Sequence, residues 1–139
     1  AHPKKQDYLA SIQSKASEMG IADRITFTGH RGDLKEILSH SDLVLSLTQQ
    51  PESFGRTTLE ALTLGTPVIG YGHGGVGEIL DQLLPEGMVQ FGQTDAVAQK
   101  IQNWAKCPPT PNAVNPFTLQ QMLEGTVGLY QELLAQARN

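Results

Sequence analysis

The sequence predicts an α/β fold, a three-layer sandwich in which helices cover both faces of a mostly parallel sheet. Two patterns point to it. Short apolar runs suited to strands alternate with segments whose apolar residues recur at helical spacing. The run Leu43-Val44-Leu45-Ser46-Leu47 also leads through a loop holding Gly55 into a helical pattern from Thr57 to Leu64. Strands alternating with helices pair in parallel through right-handed crossovers.

Taken in order, Tyr8, Leu9, Ile12, Ala16 and Met19 predict a helix over 4–19, with Gly20 as its stop. Arg24 to Gly29 is a strand candidate with Ile25 and Phe27 on one face. Asp33 follows as a cap for a short helix through His40. Asp42 to Leu47 is the next strand, followed by the helix over 57–64. Gly65-Thr66-Pro67 is a turn, Val68 to Tyr71 a third strand, and Val76 to Leu83 a helix behind the glycine-rich loop 70–75. Met88 to Phe91 forms a fourth strand and Asp95 to Lys106 a helix. Cys107 to Pro116 holds four prolines and no regular element, so it is a hinge candidate. Phe117 to Ala137 closes the chain as a helix interrupted at Gly125 and Gly128. No other domain boundary is expected within 1–139.

The 139 residues are 39% hydrophobic and 17% charged, an ordinary globular composition for one domain. A formal net charge of −4 argues against nucleic acid as a partner. Cys107 is the single cysteine and forms no internal disulfide, which fits a reducing cytoplasm. No apolar run approaches the ~18 residues of a spanning helix, and the N-terminus has no signal-peptide core. Peripheral attachment at the inner face of a membrane stays open.

The chemistry concentrates in Glu52-Ser53-Phe54-Gly55-Arg56-Thr57-Thr58-Leu59-Glu60-Ala61. A strand, a loop with one glycine and a helix start aim several unpaired N–H groups at one point, where anions bind. Gly55 lets an anionic group approach the main chain. Glu52 before the helix and Glu60 on its second turn accept hydrogen bonds from hydroxyls and are expected to face one crevice. Phosphate in the middle with polyhydroxylated ends describes a nucleotide sugar.

The same decad resembles the signature of glycosyltransferase family 4, the group 1 glycosyltransferases: Glu52, seven residues, then Glu60, with Phe54-Gly55 inside and Leu59-Glu60-Ala61 at the end. The likeness extends to Asp23 through Gly29, Ser41-Asp42-Leu43, Gly65 through Ile69, Gly74-Gly75 and Glu78-Ile79, covering most of 20–82. It implies the C-terminal, donor-binding half of a GT-B enzyme, a Rossmann-like domain here lacking its first strand. The family's diphosphate-binding Arg and Lys have no match, and the acceptor-binding N-terminal domain is absent, so the chain reads as a fragment, inactive or nearly so in isolation.

By resemblance, Glu52 is the catalytic candidate, holding hydroxyls of the transferred sugar. Ser53, Phe54, Gly55, Arg56, Thr57 and Glu60 are donor-binding candidates, with Glu60 on the ribose. Arg56 departs from the family's usual apolar residue, and reads equally as a solvated side chain or a cation near phosphate. His30, Arg31, Gly74 and Gly75 are candidate base or acceptor contacts. The bland readings are a turn for the two glycines and ordinary loop residues for His30, Arg31 and His73. Glu78 suits a helix N-terminus, His2 and His40 have no motif around them, and Trp104 and the other aromatics read as core. The family is of the retaining type and commonly metal-free; no Asp-x-Asp, zinc spacing or cofactor motif occurs. Two rival readings are a stand-alone nucleotide-binding module needing a partner chain and a sugar-nucleotide epimerase or phosphorylase of similar architecture.

Overall fold

The computed structural model describes residues 3–137, which leaves His2 outside. The chain forms two compact units that divide between Gly32 and Asp33, not in the proline-rich stretch.

In the first unit, α1 spans Pro3–Glu18. Gly20, with φ +68°, ends it: its amide donates to Ser17 and that of Ile21 to Ala16, each at 3.0 Å. These two bonds satisfy carbonyls that a helix terminus otherwise leaves bare. A short 3-10 turn follows at Ala22–Arg24. The strand expected over 24–29 does not form. Ile25 is extended, but these residues pair with no neighbour, and without a ladder an extended segment is not a strand.

The second unit contains α2 (Leu34–Ser39), β1 (Val44–Ser46), α3 (Arg56–Thr63), β2 (Val68–Tyr71), α4 (Gly74–Leu83), β3 (Met88–Val89), α5 (Thr94–Trp104) and α6 (Leu119–Gln136), with a 3-10 turn at Pro85–Gly87. Asp33 stands at the N-cap of α2, yet its side chain makes no capping bond. The sheet runs β1-β2-β3, all parallel, with Val44 opposite Val68 and Gly70 opposite Met88.

Side chains alternate across a strand, so β2 feeds two cores. Val68 packs with Leu38, Ala61, Leu62, Ile79 and Leu80 from α2, α3 and α4. Ile69 and Tyr71 pack with Val89 and with Val97 of α5. Helices therefore cover both faces, as the α/β pattern predicts. The buried Thr66 hydroxyl donates to the Leu38 carbonyl at 2.7 Å, tying the turn before β2 to the end of α2.

Two further expectations fail. α6 runs unbroken through Gly125 and Gly128; each glycine costs about 1 kcal/mol, which does not break an 18-residue helix started by a Thr118–Gln121 capping box. The aromatics are not mainly core: Trp104 is half-buried between the two clusters, whereas Tyr8, Phe27, Phe54, Phe91 and Tyr130 are exposed.

Candidate functional site

Because β1, β2 and β3 are parallel, the loops after them emerge at one edge of the sheet, where ligands of such folds sit. The loop after β1 carries Glu52, Ser53 and Phe54, all exposed, and ends at Gly55. Gly55 is the N-cap of α3 in the left-handed region, φ +83° and ψ +46°. A Cβ there would also lie 3.0 Å from a methyl of Val76, so glycine is required twice over.

The ladder of α3 opens with the Leu59 amide on the Gly55 carbonyl at 3.1 Å. The amides of Arg56, Thr57 and Thr58 have no acceptor among the described residues, and no side chain caps the helix. Three N–H dipoles thus stand free at the positive end of a helix. Thr58 is 1% exposed, and its hydroxyl has no partner either. The start of α4 differs: its Gly75 amide is already taken by the Glu52 carbonyl at 2.8 Å.

Gly74 and Gly75 face protein. A Cβ on Gly74 would lie 2.6 Å from the Glu52 carbonyl oxygen, and one on Gly75 would strike that of Phe54. The glycine pair lets the two loops interlock backbone to backbone, a reason that spacing alone does not disclose.

The Glu52 carboxylate makes no hydrogen bond or ion pair among the described residues. Glu60 pairs with Arg56 at 3.5 Å, so this arginine meets a carboxylate on its own helix. Glu60 also lines a cavity of about 430 Å³ with Lys35, Leu59, Thr63, Leu64 and Asn115. Glu52 is not in its wall, so the two carboxylates do not share this cavity as the sequence led us to expect. Phe54 borders an apolar cavity of about 390 Å³ with Phe117 and Met122, its ring edge-on to Phe117 at 6.4 Å. Thr57 is exposed on the first turn of α3. His30 and Arg31 belong to the first unit, where both are exposed.

Sequence reasoning passed over Thr58 and Lys35 and read His73 as an ordinary loop residue. Thr58 is conspicuous only once its burial is known, and Lys35 only once α2 is placed against α3. His73 bridges loops that lie 25 residues apart in the chain.

Residues 5–119 match the family model described as glycosyl transferases group 1. The chain belongs to this family. It is 34% identical over 92 residues, 66% of this chain and 24% of the other, to an N-acetyl-alpha-D-glucosaminyl L-malate synthase of Bacillus anthracis. It is 41% identical over 72 residues, 50% of this chain and 15% of the other, to a D-inositol 3-phosphate glycosyltransferase of Mycobacterium marinum. Among solved structures, the Anabaena Alr3699/HepE complex with UDP and glucose superposes with a TM-score of 0.70 at 27% identity, covering 75% of this chain and 28% of that one. The match thus spans between 15% and 28% of the length of these group 1 relatives. No helix among the described residues is long and apolar enough to cross a membrane.

Proposed function

We propose that this chain is the donor-binding part of a retaining glycosyltransferase of GT-B architecture. The full protein moves a hexose-like sugar from a nucleoside diphosphate to an acceptor held by a domain outside this chain. One observation carries the proposal: the free amides of Arg56, Thr57 and Thr58, at the end of the sheet where the Glu52 loop enters α3. A departing nucleoside diphosphate gains negative charge on its leaving oxygen, and fixed N–H dipoles stabilise that charge. The Glu52 carboxylate, without a protein partner, holds sugar hydroxyls and favours the oxocarbenium-like centre. Glu60 takes the ribose hydroxyls, exchanging Arg56 for ligand. The donor needs no metal in this scheme. The Anabaena relative, solved with UDP and with UDP-glucose, supports a uridine diphosphate sugar as the first probe. The enzyme works in the cytoplasm, with peripheral contact at the inner membrane face where its acceptor is a lipid.

The test is thermal unfolding of the full-length protein with a panel of nucleoside diphosphates, because a ligand of the folded state raises the midpoint. A dose-dependent rise with one base supports the proposal. No rise with any of them contradicts it.

A further inference from the structure

The loop that carries Glu52 is held at three points. The Glu52 carbonyl accepts from Gly75, Gly55 abuts Val76, and the Thr48 carbonyl lies 3.1 Å from Nε2 of His73. Only the last involves a hydrogen-bonding side chain. A carbonyl oxygen can only accept, so this bond places the proton of the imidazole on Nε2. The same ring lies 5.3 Å from Phe91, tilted by 34°, and 6.0 Å edge-on from Tyr71. His73 is also the N-cap residue of α4, its carbonyl accepting from Gly77 at 3.3 Å. One residue between β2 and α4 therefore touches the loop after β1 and the loop after β3.

We infer that His73 is a positioning residue for the donor site. Its Nε2–H fixes Thr48, and through the three residues between them it holds Glu52 and the free amides of α3 in their relative places. Aromatic contact with Phe91 and Tyr71 keeps the imidazole in the orientation this bond needs. The donor half of the inference rests on the function proposed above; the structural half does not.

Two variants of the full-length protein separate the hydrogen bond from the ring. His73→Phe keeps an aromatic ring and loses the donor, whereas His73→Gln keeps an N–H donor and loses the ring. Amide hydrogen exchange over residues 48–55 is measured without ligand, and UDP-glucose affinity by titration. The loss of one hydrogen bond predicts exchange faster by about five-fold in His73→Phe and a similar fall in affinity, with His73→Gln between His73→Phe and the wild type in both because it keeps a donor without the ring that orients it. Unchanged exchange in His73→Phe overturns the inference, as does a His73→Gln variant no better than His73→Phe. Faster exchange in His73→Phe with a wild type that takes up neither UDP-glucose nor any nucleoside diphosphate of the panel upholds the latch and removes the donor reading.

Discussion

The Gly75 amide donates to the Glu52 carbonyl at 2.8 Å, joining the first turn of α4 to the loop before α3. A Cβ on Gly75 would strike the Phe54 carbonyl oxygen, so that loop must move if any other residue stands there. Gly75→Ala is therefore expected to lose about 1–3 kcal/mol of stability, the usual range for overpacking. Donor affinity should fall with it. Urea unfolding measures the first, and an unchanged midpoint would show that the loops are not interlocked.

Thr58→Val should leave the fold intact and raise stability by about 1 kcal/mol. The hydroxyl is buried without a partner, and a methyl of similar shape removes that desolvation cost. A loss of stability would instead reveal a bond that the hydroxyl makes, to ordered water or to a group outside the described residues.

Thr66→Val should do the opposite. Here the hydroxyl donates to the Leu38 carbonyl at 2.7 Å in a buried setting, and its removal leaves that oxygen only the longer bond from the Ser41 amide at 3.2 Å. The expected cost is about 0.5–1.5 kcal/mol. Comparing the two Thr→Val variants in one denaturation series tests the sign directly.

Arg56 and Glu60 form an i,i+4 pair with side chains 81% and 45% exposed, so Arg56→Leu should change stability by no more than about 0.5 kcal/mol. Glu60→Ala should instead weaken donor binding in the full-length protein. A hydrogen bond from a ribose hydroxyl to a carboxylate is worth about 1.5–3 kcal/mol, roughly ten- to 150-fold in Kd. Titration calorimetry with an equal Kd for both proteins would remove Glu60 from the donor site.

Much of the fold is legible in the sequence because the strongest patterns are those of burial. Val68–Tyr71 is strand at the residues expected, since all four are buried and a bare apolar run suffices to mark it. The segment 24–29 shows the limit: its residues suit a strand, but a strand needs a neighbour, which local composition does not specify. At the site, the order of strand, glycine and helix start was enough to find Gly55 and the α3 amides. The partners of Gly74 and Gly75, and the reach of His73 to Thr48, depend on loops distant in the chain meeting at one edge. The Glu52–Glu60 crevice was inferred from spacing, yet Glu60 faces a cavity shared with Lys35 of α2.

The most direct measurement follows backbone amide chemical shifts of the full-length protein, labelled with nitrogen-15, as UDP-glucose is added. If the start of α3 receives the diphosphate, Arg56, Thr57 and Thr58 should show the largest saturable shifts. Saturable binding that leaves these three amides unmoved would contradict the account.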